Sequence, residues 1–304
     1  MIRDAADIRA VILDLDGVLY RGKTALPGAH EATEWLRQQG YQTYYFTNNS
    51  TRTRESYVEL LAGFGIHADR EHIVTSASLT TQYFRDLGVL NHPKGRPTVL
   101  VVGEGGLASE LRGAGVRVVR RPGLRQVDYV VVGMDRQFTY RKLYEAQQAV
   151  RAGAKLIATN RDATYPVEDG NVIPGGGSIV AAVATAAEQE PLLIGKPSAR
   201  AGELILHHAG VSAEQAVIVG DRLETDIEMG RRAGLWTCLV LSGISRAEEA
   251  EALPPEQQPH WVIESIADLP ALLERVKAGA QSRPRGAAQQ PAQPGLIAQG
   301  GERP

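Results

Sequence analysis

Short apolar runs rich in Val, Ile and Leu alternate with amphipathic helical stretches along nearly all of the 304-residue chain. That rhythm leaves few architectures. A strand that is apolar on both faces must be covered on both, and a helical crossover supplies the cover while returning the chain in a parallel direction. Strands are expected at residues 9–16, 42–46, 98–102, 116–119, 129–132, 155–158, 192–195, 216–219 and 236–241. Helices are expected at 28–39, 54–64, 107–114, 139–152, 178–188, 199–208, 227–233 and 266–277. The fold class is α/β: a Rossmann-like, doubly wound parallel sheet.

The series of elements over 79–175 reads as self-contained, which suggests a smaller α/β domain inserted into a core made of 1–78 and 176–278. Pro174-Gly175-Gly176-Gly177 is expected to be the flexible junction back to the core. Residues 279–304 are rich in Gly, Pro, Gln, Ala and Arg and are expected to form a disordered tail. Ser212-Ala213-Glu214-Gln215 has the form of a capping box but leads into a strand, so it is expected to make one helical turn.

Two strands end in carboxylates. The first carries Asp14 and Asp16, two apart and therefore on one face, with Gly17 free to turn the backbone just beyond. The second carries Asp221 after Gly220, with Asp226 a turn later. Carboxylates gathered at one sheet edge repel one another unless a hard cation joins them, and Mg²⁺ accepts oxygen ligands while leaving room for phosphate. Two more strand ends carry anion-binding groups: Thr47-Asn48-Asn49-Ser50, and Lys196 in Gly195-Lys196-Pro197-Ser198. Each has an ordinary reading, helix capping for Thr, Asn, Ser and Asp and an exposed side chain for Lys. Capping does not explain their conjunction. In an open parallel sheet the four strand ends meet at the carboxyl edge, where ligands bind.

In these four segments the chain resembles the haloacid dehalogenase superfamily in its phosphatase branch, over roughly 9–273. It is most similar to the NagD-like and 4-nitrophenyl phosphatase-like subfamily, which carries an α/β cap between the second and third motifs. Val132-Gly133-Met134-Asp135-Arg136 and Ala158-Thr159-Asn160-Arg161-Asp162 support this, with Arg161 where the family usually has Pro. The resemblance implies that Asp14 attacks phosphorus and forms an aspartyl-phosphate. It implies that Asp16 protonates the leaving group and then activates water. It places Mg²⁺ on the Asp14 carboxylate, the Asp16 carbonyl and the Asp221 carboxylate, with Asp226 acting from behind them. Thr47, Asn48 and Lys196 would hold the phosphoryl oxygens, and Asp135, Arg136, Asn160 and Asp162 are the cap positions expected to face the leaving group. The implied partner is a small phosphorylated metabolite, and caps of this subfamily often take part in homodimers.

The remaining features narrow the alternatives. A net charge of −2 gives no footprint for a nucleic acid polymer. No apolar stretch is long enough to span a bilayer, Met1 to Arg9 lacks a signal core, and the lone Cys238 lies in an apolar run, so the cytoplasm is the expected compartment. A phospho-receiver or regulatory phosphate-binding protein would also set acidic residues, Thr and Lys on a parallel sheet. Receivers are shorter, and their acidic residues fall closer together. A halide-releasing enzyme has no use for Asp16 or for a metal. Gly103-Glu104-Gly105-Gly106 departs from the dinucleotide fingerprint and is read as a tight turn.

Overall fold

A computed structural model of the chain describes residues 5–91, 95–119, 127–166 and 171–281. Two parallel sheets organise it. The first has six strands in the order Trp261–Ile263, Trp236–Val240, Ala216–Gly220, Ala10–Asp14, Gln42–Thr47 and Ile73–Thr75. The second has five, in the order Leu192–Leu193, Lys155–Ala158, Tyr129–Val132, Thr98–Val102 and Arg117–Val119. Every ladder within these two sheets is parallel.

The strand Ala10–Asp14 lies near the centre of the first sheet, and all five of its residues are buried. Its alternating side chains enter different cores. Val11 and Leu13 join Val217, Val219, Leu36 and Leu269 on one face. Ala10 and Ile12 join Phe46, Ile218 and Leu204 on the other. The apolar composition of this strand thus follows from its two covered faces.

The insert is less independent than its sequence suggests. Ile12, Phe46 and Ile218 of the first sheet share one apolar cluster with Val99, Val101, Val131 and Ile157 of the second. Helices Ser76–Asp86 and Gly105–Gly113 pack together and contribute Ala77, Leu79, Phe84, Leu107 and Leu111 to that cluster. The boundaries also move. The expected cut after residue 78 falls inside helix Ser76–Asp86. The expected return to the core at 176 comes too early: Leu192 and Leu193 pair with Ile157 and Ala158, so this strand belongs to the second sheet. Helix Gly176–Ala187 buries Ile179, Val180 and Val183 with Val130 and Leu156 of that sheet. The chain rejoins the first unit only with helix Ala199–Ala209, whose Ala201, Leu204 and Ile205 face the shared cluster.

Nor are the glycines after Pro174 a loose hinge. A Cβ on Gly175 would stand 2.3 Å from the Asp162 carbonyl oxygen, and one on Gly177 2.3 Å from that of Arg161. These residues are small because another stretch of backbone passes against them. The capping box at Ser212 is present and makes a single 3-10 turn over Ala213–Gln215. The expectation of a disordered tail lies almost entirely outside the described residues. Among those described, no helix is long and apolar enough to cross a membrane.

Candidate active site

Three carboxylates meet where two central strands end. Asp14 closes its strand, Asp221 directly follows the neighbouring strand Ala216–Gly220, and Asp226 lies on a π-helical turn, Leu223–Ile227. Each can offer an oxygen, and these oxygens lie within 4.8 Å of one another. All three residues are buried. None of them caps a helix: the helix after Asp226 is Glu228–Ala233, and it has no side-chain cap.

Close packing brings the acids together. Gly17 has φ +83, a left-handed conformation that disfavours side chains, and a Cβ there would stand 2.5 Å from Asp221 Oδ2. Gly243 meets the same carboxylate, and a Cβ there would stand 2.0 Å from Oδ2. The Ile244 N–H donates to Asp221 Oδ2 at 2.9 Å.

Lys196 enters between the acids, 3% exposed. Its Nζ donates to Asp14 Oδ1 and, at 2.7 Å, to Asp226 Oδ1. It also sits 4.7 Å from the centre of the Phe46 ring. The sequence places Lys196 at the end of a strand in the same sheet as the acids. Instead it follows the edge strand of the second sheet, because Ile194 and Gly195 continue that ladder by bonding to the carbonyls of Ala158 and Thr159.

Asn48 fixes this crossing. Its Oδ1 accepts from the Lys196 backbone N–H at 2.9 Å, and its Nδ2 donates to the Lys196 carbonyl at 3.0 Å. The same Nδ2 reaches Asp162 at 3.2 Å. The Asn48 carbonyl accepts from Asn160 Nδ2 at 2.8 Å and from the Ser76 hydroxyl at 2.6 Å. Both ends of the amide are therefore occupied, so the side chain holds Lys196 and has no donor to spare for a phosphoryl oxygen. Thr47 is different. Its Oγ1 accepts the Asn49 N–H at 3.1 Å and is not tied to Lys196. Helix Arg54–Gly63 is capped by Thr53, so Thr47 to Ser50 are not needed as its cap.

Known proteins resemble this chain. A family model described as haloacid dehalogenase-like hydrolase matches residues 11–117, and a second, HAD-hydrolase-like, matches 193–269. Chronophin of Bos taurus is 40% identical over 276 residues, covering 88% of this chain and 93% of its own length. The chain belongs to the haloacid dehalogenase-like hydrolases. Its solved relatives include several phosphatases and NagD of E. coli. The 4-nitrophenylphosphatase of Thermotoga maritima superposes with a TM-score of 0.78 at 31% identity, covering 88% of this chain and 98% of that one. The glycerol phosphate phosphatase of Mycobacterium tuberculosis, solved in complex with calcium, superposes with a TM-score of 0.77 at 34% identity, covering 87% of this chain and 75% of that one.

Around this hydrolase site, the residues of the second sheet divide. Asn160 and Asp162 reach it through Asn48. Asp135 and Arg136 are tied up elsewhere: Lys142 Nζ donates to Asp135 at 2.6 Å, and Arg136 grips Glu104 with two bonds of 2.7 Å. Both line a cavity of about 890 Å³ beside Gly103 and Gly105, and none of their bonds reaches the three acids. Arg161, the departure from the family pattern, pairs outward with Glu190 at 2.6 Å. Sequence reading missed Tyr165, whose hydroxyl accepts from Asn49 Nδ2 at 3.1 Å. It also missed Arg52 and Arg222, whose charges act on Asp16. A tyrosine in a short hairpin and arginines beside motif residues carry no periodic signal.

Burial governs the protonation of the acids. It pushes Asp221 up to about 7, with the Asp226 charge adding to the rise. It pushes Asp16 up to about 6, against the opposing bond from the Tyr20 hydroxyl. Asp14 is also raised by burial, which outweighs the pull of Lys196. Burial draws Lys196 down, but Asp14 and Asp226 more than compensate, so the ammonium keeps its proton. Both partners of the Lys196–Asp14 pair are thus raised, as three carboxylates facing one ammonium require. A carboxyl whose folded pKa lies above its unfolded value contributes stability below the unfolded value and loses it as pH rises through the folded one. The metal-free protein should therefore melt at a lower temperature at pH 8 than at pH 5. Thermal unfolding in a chelator across that range checks this, and a melting temperature that rises over it would contradict the assignment.

Proposed function

We propose that the chain is a Mg²⁺-dependent phosphatase of small cytoplasmic phosphomonoesters, working through an aspartyl-phosphate on Asp14. The observation that carries this reading is the distribution of unoccupied oxygens. Asp226 has both oxygens engaged, one by Lys196 and the other by the Arg222 N–H at 3.2 Å and the Thr225 hydroxyl at 3.3 Å. Asp14 and Asp221 each keep an oxygen with no donor among the described residues. Two free carboxylate oxygens in a buried, net-negative cluster suit a hard divalent cation, with the Asp16 carbonyl as a third ligand. Mg²⁺ held there would offset the repulsion between an anionic nucleophile and an anionic ester.

The protein's own groups then divide the work. An Asp14 oxygen attacks phosphorus, and the bond from phosphorus to the leaving oxygen breaks. Asp16, poised near neutrality by burial, gives its proton to that oxygen. A water then attacks the phosphorus of the aspartyl-phosphate, Asp16 takes the water's proton, and the bond to Asp14 breaks to release inorganic phosphate. Lys196 and the Thr47 hydroxyl stabilise charge on the phosphoryl oxygens. Asn48 acts by positioning Lys196. The second sheet and its helices cover the site and exclude bulk water.

Hydrolysis of 4-nitrophenyl phosphate should require Mg²⁺ and stop in a chelator. Tight Mg²⁺-dependent binding of a phosphate analogue without turnover would instead favour a regulatory phosphate-binding protein. Asp16→Asn should lower kcat/KM for an alkyl phosphate by about 10²-fold more than for 4-nitrophenyl phosphate, whose leaving group needs little protonation. Equal losses on the two substrates would remove Asp16 as the acid.

A further inference from the structure

The chain turns sharply after Asp16 and brings Tyr20 back beside it. Gly17 takes the left-handed conformation, its N–H donates to the Tyr20 carbonyl at 2.8 Å, and the Leu19 N–H donates to the Leu15 carbonyl at 2.9 Å. Tyr20–Arg21 then pairs antiparallel with Thr24–Ala25, and Asp16 and Tyr20 form a bridge of their own. The turn is also held from outside. The Ser242 hydroxyl donates to the Gly17 carbonyl at 2.7 Å, and Arg21 Nη2 donates to the Ser242 carbonyl.

Tyr20 is 4% exposed, and its ring lies 5.5 Å from that of Phe64. Its phenol donates to Asp16 Oδ2 at 3.4 Å. Among the described residues this is the one hydrogen bond that either side chain makes. The bond is long, as catalytic hydrogen bonds often are before substrate binds. A phenylalanine would pack the same ring without burying a hydroxyl.

Asp16 has to give a proton to the leaving oxygen in one step and take one from water in the next. A phenol is protonated at neutral pH and donates. With that donor aimed at Oδ2, this oxygen is an acceptor in both forms of the carboxyl, and the transferable proton belongs on Oδ1. Oδ1 has no donor among the described residues and is free for the task. The phenol keeps its own proton throughout.

We propose that Tyr20 is a positioning residue for the acid–base carboxyl: its phenol holds Asp16 Oδ2 and so keeps Oδ1 turned toward the leaving oxygen and then toward the attacking water. This rests on the phosphatase reading above and adds to it a residue outside the four strand-end segments.

The test compares the Mg²⁺-loaded full chain with Tyr20→Phe, Asp16→Asn and the double variant on phenyl phosphate and 4-nitrophenyl phosphate. The two esters are close in shape and differ in the basicity of the leaving oxygen. In Tyr20→Phe, kcat/KM for phenyl phosphate should fall about tenfold, the worth of one hydrogen bond to a charged group. For 4-nitrophenyl phosphate it should stay within about threefold, since that leaving group needs little protonation. The inhibition constant for inorganic phosphate should stay within about twofold, because the lost contact acts on the transition state and not on bound phosphate. In the Asp16→Asn background the Tyr20 change should add nothing. Equal losses on the two esters in Tyr20→Phe, or none, would overturn the proposal and mark the hydroxyl as packing alone, while a selective loss in Asp16→Asn kept the phosphatase reading intact. A further loss on phenyl phosphate in the double variant would overturn it too, since Tyr20 would then act without Asp16. Equal losses in Asp16→Asn would leave no acid for Tyr20 to position, and the proposal would fall while hydrolysis by the parent still stood. A parent that hydrolysed neither ester would overturn both.

Discussion

Asp14→Asn should abolish turnover, by about 10⁴-fold or more, while the protein stays folded. The replacement keeps the shape and an acceptor for Lys196, but an amide oxygen is no nucleophile toward phosphorus, and removal of a nucleophile from a cooperating site costs rates of that order. The stability expectation follows from the electrostatics. Asp14 is one of three buried carboxylates facing a single ammonium, and burial already raises its pKa. Removing its charge relieves repulsion, so the metal-free variant should melt no lower than the metal-free parent. Initial rates on 4-nitrophenyl phosphate and a thermal melt decide the matter. Activity within tenfold of the parent would eliminate Asp14 as the attacking group, and a collapsed fold would show that it is chiefly structural.

Lys196→Met should harm both properties at once. The ammonium is 3% exposed and bridges Asp14 and Asp226. Removing one partner of a buried ion pair leaves uncompensated charge and typically costs about 3–5 kcal/mol. The cost should depend on pH in a definite direction. With the cation gone, the raised pKa values of Asp14 and Asp221 rise further, so the folded variant takes up protons that the unfolded chain does not bind. Its deficit should be smallest near pH 5 and grow toward pH 8. Turnover should fall by at least about 10³-fold, because the same ammonium faces the developing phosphoryl charge. Urea unfolding at the two pH values checks the first claim. A deficit that shrank with rising pH would mean that Lys196 does not neutralise the acids.

Much of this site can be read along the chain because its chemistry is short-range. Asp14 and Asp16 lie two apart on one strand, and Asp221 and Asp226 lie on a strand and the turn that follows it. Their convergence required only that the strands be parallel and adjacent. The strand of Lys196 was harder to place. Residues 192–195 have the same apolar character whichever sheet they join, and only the pairing of Leu192 with Ile157 decides it. Strands Ile73–Thr75 and Trp261–Ile263, three residues each, were not expected. The role of Asn48 was also hidden. An Asn beside a Thr at a strand end suggests a ligand for anions, and nothing local reveals that both ends of its amide are occupied by a backbone 148 residues away. Asp135 and Arg136 are expected to face the leaving group from the family resemblance, and nothing local shows that both charges are paired. Their counter-ions Lys142 and Glu104 lie at distances in sequence that no motif records.

The crossing at Lys196 has a consequence for modularity. The ammonium is delivered by a segment that ends the second sheet and is clamped by an amide from the first. Excising the smaller lobe would remove more than a lid, because the piece that seats the cation among the acids would go with it. A trimmed, lidless version of this enzyme should therefore be inert rather than indiscriminate, and grafting a foreign lobe in its place would succeed only if the graft rebuilt that last strand in register.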